Sequence, residues 1–163
     1  ELEIADALQL LIEEEKPIIY EMITDFWKDT GTPNDIIEAN KTIIENLPSS
    51  FKGKKDESVV LEGKVIVDEG TIIKKGSQIM GPVIIGKNCL IENDVIIGQN
   101  TSIGDNSYLS DCIISNSIIM SNCVIEGGLN IINSIIAPNS KIIQNQKNDK
   151  KNFLLGEGTQ IHL

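Results

Sequence analysis

Arginine is absent from this 163-residue chain, so all 14 of its basic residues are lysines. They are outnumbered by 24 aspartates and glutamates, which leaves a formal net charge of −10 at pH 7. A field of that sign repels phosphate backbones and anionic lipid surfaces, so we expect no nucleic acid and no membrane among the partners. The length suits one domain, or a small domain with a piece of another.

Cysteine is scarce, and its spacing excludes two common uses. The three cysteines are odd in number and contain no C-x-x-C pair, which argues against a disulfide framework and against a zinc knuckle. No run of about 18 apolar residues occurs, so no membrane span is predicted. No secretion signal is visible, and we expect a cytoplasmic protein. Because the chain starts with Glu1 rather than methionine, we expect a fragment or a processed product.

Aromatic residues contribute only 4% of the chain, whereas isoleucine alone occupies 31 positions. A β-branched core with few rings favours thin, repeated β layers. From residue 59 an aliphatic anchor recurs every six residues, and then at steps of five or six. These anchors are Leu61, Val67, Ile73, Ile79, Ile85, Ile91, Ile97, Ile103 and Leu109, followed by Ile114, Ile119, Ile125, Ile131, Ile136 and Ile142.

The six-residue period predicts a coil with three short strands. A small or β-branched residue two positions before each anchor, such as Cys89, Cys112 or Cys123, would point inward with it. The cysteines are therefore predicted to be buried and inert. Glycines after the anchors, and asparagines two residues later, suit tight corners because both tolerate positive φ. Three hexads form a triangular coil of about 18 residues, so about five stacked coils are expected.

The first 47 residues follow a different pattern, which predicts a helix, a strand and a second helix. Ile4, Ala7, Leu8, Leu11 and Ile12 have helical spacing, and the apolar run 17–23 is typical of a short strand. Thr32 is a candidate N-cap, with Pro33 in the first helical position. Residues 48–58 read as a polar linker, and the tail after residue 145 as a loop and a closing strand, 153–155.

Two motifs carry a family resemblance. Trp27-Lys28-Asp29-Thr30-Gly31-Thr32-Pro33, with Glu1–Asp6 before it and Glu38-Ala39-Asn40 after it, resembles the end of the catalytic domain of sugar-1-phosphate nucleotidyltransferases. The long form of glucose-1-phosphate thymidylyltransferase has the most similar pattern, apart from Ala5 in place of a threonine. Members carry a C-terminal hexapeptide-repeat domain, a left-handed parallel β-helix. The resemblance thus implies a mainly β chain: 1–47 as the end of the catalytic domain, 48–58 as linker, and 59–163 as β-helix with a C-terminal cap.

The resemblance implies a function for the full-length parent. Such enzymes make a nucleotide sugar, here of the dTDP-glucose type, and pyrophosphate from a sugar-1-phosphate and a nucleoside triphosphate, with Mg²⁺. Asp29 matches an aspartate that binds this metal, although an Asp-Thr-Gly turn can also form for structural reasons. The second metal aspartate and the phosphate loop of the family have no counterpart here, so no catalytic residue is expected in this chain. We expect it to be inactive alone.

Other candidates have structural alternatives. Trp27 could contact substrate but suits packing, and Glu3, like Asp6, suits a helix start. Hexapeptide proteins also include acyl-CoA-dependent acyltransferases with a histidine base, and the only histidine here, His162, lies outside the hexads. A third possibility is an assembly module, because flat β-helix sides can pair with copies of themselves; the family implies a homo-oligomer, for example a trimer.

Overall fold

The computed structural model of the chain defines residues 3–24, 27–144, 150–151, 154–157 and 160–162. Two helices, α1 (Ile4–Glu13) and α2 (Pro33–Asn46), precede a series of short strands. In chain order these strands are β1 Ser50–Phe51, β2 Lys54–Lys55, β3 Val60–Glu62, β4 Val65–Val67, β5 Ile72–Ile73, β6 Gln78–Met80, β7 Val83–Ile85, β8 Leu90–Ile91, β9 Ile96–Ile97, β10 Thr101–Ile103, β11 Tyr108–Ser115, β12 Ile118–Ile119, β13 Val124–Ile132, β14 Ile135–Ile136, β15 Lys141–Ile143, β16 Lys150–Lys151, β17 Leu154–Leu155 and β18 Gln160–His162.

The strands build a parallel solenoid with three flat faces, which confirms the predicted mainly β class. The first face runs β1-β4-β7-β10-β12-β14-β17. The second face runs from β2 through β5, β8 and the starts of β11 and β13 to β15 and β18. The third face contains β3, β6, β9, the ends of β11 and β13, and β16.

The solenoid has about six turns rather than the five expected. It begins earlier than the sequence predicts, because β1 and β2 lie within the segment 48–58, for which the sequence predicts a linker. At the other end, β17 extends the first face and β18 the second. The sequence signal is weak at both ends because an outermost turn is covered on one side only. Phe153 and most of the loop predicted after residue 145 lie outside the described residues.

The predicted anchors form the core. Every anchor from Val67 to Ile142 exposes at most 1% of its surface, while Leu61, in the first turn, is only partly buried. Burying an isoleucine side chain contributes roughly 1.5–3 kcal/mol, so a column of them can hold together turns whose strands are only two or three residues long. The turns stack because no single turn can cover its own inner face.

The residues two positions before the anchors are buried and bonded between turns. Thr71 Oγ1 donates a hydrogen bond to the Gly86 carbonyl at 2.6 Å and accepts one from the Cys89 amide at 2.9 Å. Cys89 Sγ in turn donates to the Gly104 carbonyl at 3.2 Å. These contacts satisfy backbone groups that water cannot reach, which explains why small polar residues occupy so apolar an interior.

The corners depend on asparagine more than on glycine. Asn106 and Asn122 have φ near 60°, as do several other corner asparagines. Their side chains form a ladder, with Asn106 Nδ2 donating to Asn122 Oδ1 at 3.2 Å. The glycines after the anchors are not in that region of φ. A Cβ at Gly104 would instead lie 2.5 Å from the Ser121 amide nitrogen, so the close approach of the next turn requires glycine there.

The turns shorten along the chain. Val83 pairs with Thr101, a step of 18 residues, whereas Ser102 pairs with Ile118, a step of 16. The shortening occurs where β11 runs through a corner instead of ending at it. That corner is Asp111, with φ of 45° and a register shift beside it. The five-residue anchor steps of the sequence therefore correspond to slimmer corners.

The N-terminal segment differs from prediction at one point. The apolar run 17–23 forms no strand, because no neighbouring strand pairs with it within the residues defined by the structure. A β-strand needs a partner to satisfy its backbone groups. Both helices form as expected, but α1 has no buried residue, while α2 buries Ile37 and Ile44.

Candidate functional site

The turn that carries the candidate metal ligand is fixed by the start of α2. Thr32 Oγ1 accepts a hydrogen bond from the Asp35 amide at 3.3 Å and donates one to Asp35 Oδ2 at 2.6 Å. The Thr32 amide also donates to Asp35 Oδ2, at 3.0 Å. These bonds to the Thr32 hydroxyl and amide, with Lys28 Nζ 3.4 Å away, lower the pKa of the Asp35 carboxyl. The turn 29–32 is thereby held against the helix end.

Asp29 lies in this turn with its carboxylate exposed to solvent. A Cβ on Gly31 would lie 3.8 Å from Asp29 Oδ1, an ordinary contact. Among the described residues, no group of three or more histidine, cysteine, aspartate or glutamate side chains could hold a metal. Mg²⁺ usually binds through one or two carboxylates together with phosphate oxygens and water. Asp29 thus fits one such ligand position, but the described residues do not form a complete metal site.

The two other N-terminal candidates, Trp27 and Glu3, lie at the surface. Trp27 is 70% exposed. Glu3 precedes α1, where its amide donates to Asp6 Oδ2 at 3.3 Å. That hydrogen bond accounts for the acidic residues at the helix start without invoking a ligand.

The structure reveals a junction that the sequence did not indicate. Asn40 on α2 contacts the first face of the solenoid: its Nδ2 donates to the Asn100 carbonyl at 3.4 Å, and its Oδ1 accepts from Ser102 Oγ at 2.6 Å. Lys64 Nζ donates to the Glu45 carbonyl at 2.5 Å, near the C-terminal end of the helix. Ile37 and Ile44 are buried on the same helix, so α2 joins the segment carrying Asp29 to the solenoid.

The cysteines carry no chemistry in this arrangement. All three are free and buried. Burial raises the pKa of each thiol, and that of Cys112 rises to about 12, with the Asp111 carboxylate adding to the effect. A thiol of that pKa is not a nucleophile near neutral pH. His162, the candidate acyltransfer base, lies in β18, but its side chain is outside the described set.

Neither α1 nor α2, the helices in the described part of the chain, is long and apolar enough to cross a membrane.

Comparison with known proteins divides the chain into an N-terminal and a C-terminal part, as the structure does. The Nucleotidyl transferase family matches residues 1–46, and the GMPPB C-terminal domain family matches residues 79–162, slightly more than half of the chain. The two matches correspond to the N-terminal helical segment and to the main part of the solenoid.

Three curated relatives match this chain over different lengths. A glucose-1-phosphate thymidylyltransferase from Streptomyces antibioticus is 36% identical over 164 residues, covering 100% of this chain and 46% of the relative. One from Streptomyces griseus is 40% identical over 86 residues, 53% of this chain and 24% of the relative. A bifunctional sugar-1-phosphate nucleotidylyltransferase/acetyltransferase from Sulfurisphaera tokodaii is 36% identical over 80 residues, 48% of this chain and 20% of the relative.

This chain therefore spans less than half the length of the curated relatives that it matches. One assignment agrees with the solenoid geometry, with the buried hexad anchors and with the family match over residues 79–162. The chain belongs to the GMPPB C-terminal domain family, and the segment ahead of that domain matches the Nucleotidyl transferase family.

Proposed function

We propose that this chain is the C-terminal part of an enzyme that forms a nucleotide sugar and pyrophosphate from a sugar-1-phosphate and a nucleoside triphosphate. The observation that carries the proposal is the alignment of the whole chain with the S. antibioticus thymidylyltransferase. That relative makes glucose-1-phosphate the expected sugar phosphate and dTTP the expected nucleotide. Three free, buried cysteines suit a reducing compartment, which supports a cytoplasmic location.

The proposed enzyme divides this chain between two tasks. Residues 1–47 would complete the catalytic domain, and the solenoid would support and assemble it. Ile4 and Ile19 are 82% and 95% exposed, and such apolar residues need a cover of the kind that a catalytic core would supply. Residues 48–58 connect the two parts, although 50–55 already pair with the solenoid.

Asp29 is our proposed metal residue in the complete enzyme. Its exposed carboxylate, on a turn held by Thr32 and Asp35, could supply one oxygen ligand to Mg²⁺. The metal would neutralise charge on the phosphates as pyrophosphate leaves. This chain's own part is to hold the carboxylate in place, since a ligand on a fixed turn loses little entropy on binding.

Two assays test the proposal. The isolated chain is expected to give no turnover of glucose-1-phosphate and dTTP, and measurable turnover would contradict the division of tasks. In the complete enzyme, Asp29→Asn should lower kcat by at least about 100-fold, because charge neutralisation at phosphate is lost. Glu21→Gln is the matched control: it removes one negative charge from an exposed residue of the same segment that does not hold the turn 29–32, and it should leave kcat within about threefold.

Assembly is proposed through the second face of the solenoid. Leu90, Tyr108 and Val124 lie in register on neighbouring strands at outward positions, and all three are partly exposed. A row of this kind suits an interface between copies of the chain, in a dimer or a trimer. Sedimentation should show an oligomer that Tyr108→Glu dissociates. Ile113→Glu, on the third face, should leave it intact; a monomeric wild type would refute the assembly proposal.

Acyl transfer is the second candidate, favoured by the S. tokodaii relative, whose name includes an acetyltransferase. His162 would be the base that deprotonates the acceptor. Calorimetry with acetyl-CoA tests this directly, because a hexapeptide acyltransferase must bind the donor. Absence of binding would remove the candidate, whereas activity lost in His162→Ala would support it.

A further inference from the structure

The first three turns of the solenoid form a cavity of about 390 Å³, and four of its eight lining residues are lysines. β2 pairs with β5 so that Lys54 lies opposite Ile72 and Lys55 opposite Ile73. Lys74 and Lys75 directly follow β5, which brings them to the same corner. We call these four lysines, with Asp56 and Ile72, the lysine cavity.

The charge of this cavity is opposite to that of the chain. Its lining contains four lysines and one aspartate, in a protein of net charge −10. Lys74 Nζ is neutralised by Glu92, with contacts of 2.7 and 2.9 Å. Among the described residues, neither Lys54 nor Lys75 forms an ion pair. Hydrogen bonds from Ser58, followed by the charges of Lys75 and Lys55, lower the pKa of the Asp56 carboxyl, so one carboxylate offsets part of the charge of this group of lysines.

The aspartate in the lining does not offset these cations fully. Asp56 accepts hydrogen bonds from the Ser58 amide at 3.0 Å and from Ser58 Oγ at 2.6 Å. Those bonds hold its carboxylate within its own turn. Lys55 Nζ donates to the Val59 carbonyl at 3.4 Å, a neutral acceptor that leaves its charge in place.

Size and field together restrict the ligand. The volume falls within the range of about 300–1,000 Å³ typical of small-molecule sites. A nucleic acid would have to approach through the negative field of the rest of the chain, whereas a small anion can enter the local positive region alone. Ile72, 44% exposed, adds an apolar wall against which a ring could lie.

We propose that the lysine cavity binds a small molecule carrying two or more phosphate charges. Lys54 and Lys75 supply the charge-assisted hydrogen bonds, and Lys55 adds to the potential. The site lies on the solenoid and includes none of the residues proposed for the nucleotidyltransferase reaction. It does not depend on the proposed function, because it would bind its ligand in this chain whether or not the complete enzyme forms a nucleotide sugar.

Titration calorimetry with pyrophosphate on this chain tests the proposal. The double variant K54Q/K75Q should weaken binding about tenfold, taking roughly threefold for each lost charge contact. The double variant K87Q/K141Q is the matched control, since it removes the same charge from two exposed lysines elsewhere and should change affinity less than about twofold. Thermal melts of both variants check that folding is unchanged.

Four results would overturn the inference. The wild-type chain could fail to bind pyrophosphate, or both double variants could weaken binding equally, which would mean a response to overall charge. Inorganic phosphate binding as tightly as pyrophosphate would remove the requirement for several charges. If a single-stranded oligonucleotide bound more tightly than pyrophosphate, the ligand of this site would be a nucleic acid and not a small molecule. A nucleoside triphosphate binding more tightly than pyrophosphate, with that gain lost in Ile72→Ser, would identify a nucleotide as the source of the phosphates.

Discussion

The solenoid and the N-terminal segment use similar aliphatic residues in opposite ways. In the solenoid, Ile97 and Ile125 are fully buried, and so are the neighbouring anchors. In the N-terminal segment, Ile4 is 82% exposed and α1 buries nothing. The solenoid buries its aliphatic residues internally, because each turn packs against the turn before it. The N-terminal segment has no such repetition and needs a surface from elsewhere.

The difference separates two sources of stability. Within the solenoid, stability comes from stacking and from hydrogen bonds between turns. In the N-terminal segment it comes from local devices, namely the capping bonds of Thr32 with Asp35 and the contact of α2 with the first face. Substitutions of the same residue type should therefore change the free energy of unfolding by different amounts in the two regions.

Shortening an aliphatic side chain to alanine should give the largest difference between the two regions. Ile97→Ala leaves a cavity in the middle of the stack and should lower the free energy of unfolding by about 4 kcal/mol. Leu10→Ala, at a residue of α1 that is 55% exposed, should lower it by less than about 0.5 kcal/mol, because more than half of this residue is already in contact with water. Urea unfolding followed by circular dichroism measures both. Equal losses would show that α1 contributes to the same core.

Glycine substitution should give the next largest difference. Gly127 has φ of 104°, and a Cβ there would overlap the Gln144 carbonyl of the following turn. Gly127→Ala should therefore cost about 3 kcal/mol, from strain together with displacement of a neighbouring backbone.

Gly31 in the N-terminal segment is the matched position, since its Cβ would meet only the Asp29 carboxylate at 3.8 Å. Gly31→Ala should change the urea midpoint by little. A second control, Gly156→Ala, has nothing within 4 Å of the added atom. If all three variants unfolded at the same urea concentration, close packing between turns would not explain the glycine at 127.

The sequence was sufficient for the solenoid core because each anchor repeats the same physical demand. The six-residue spacing alone predicts that Ile85, Ile91 and Ile97 point into the core, and each of them is fully buried. The corners were partly predictable, since Asn88 and Asn100 have the expected positive φ. The role of Gly104 was not, because the close approach of the next turn is set by the stacking distance and leaves no periodic signal.

The N-terminal segment was harder to predict because its environment is not local. Local rules located the start of α2 at Thr32, whose hydroxyl receives the Asp35 amide. The same rules suggested a strand over 17–23, which fails because strand formation needs a partner. The contacts of Asn40 with Asn100 and Ser102 join residues about 60 positions apart, a relation that composition and spacing do not encode.

The junction between the regions gives a smaller, local prediction. Asn40→Ala removes the hydrogen bonds to Ser102 Oγ and the Asn100 carbonyl, which should cost about 1–2 kcal/mol of docking. Amide exchange in α2 should accelerate while exchange in β7 and β12 stays unchanged. Asn34→Ala, in the exposed first turn of α2, is the control. Faster exchange throughout the solenoid would show that the two regions unfold together.

Near neutral pH the smallest expected effect is the response to pH, which develops on opposite sides of neutrality in the two regions. Asp35 has a pKa lowered from 3.8 by its bonds to Thr32, so its stabilisation of the α2 start is present above that value and is lost as pH falls through the lowered folded pKa. Cys112 behaves in the reverse sense. Burial raises the pKa of its thiol from 9.0 to about 12, so its contribution is complete below pH 9.0 and is lost as pH rises towards 12.

The Thr32 amide resonance should therefore shift in acid, while the urea midpoint of the solenoid should fall in alkali. Asp35→Asn should abolish the first response. Cys112→Val should flatten the second without a large loss at pH 7, because valine already occupies equivalent buried positions, at Val83 and Val95. An alkaline response unchanged in Cys112→Val would assign it to other groups, such as the buried Cys89 and Cys123 thiols or the lysines, and would contradict the role given to Cys112.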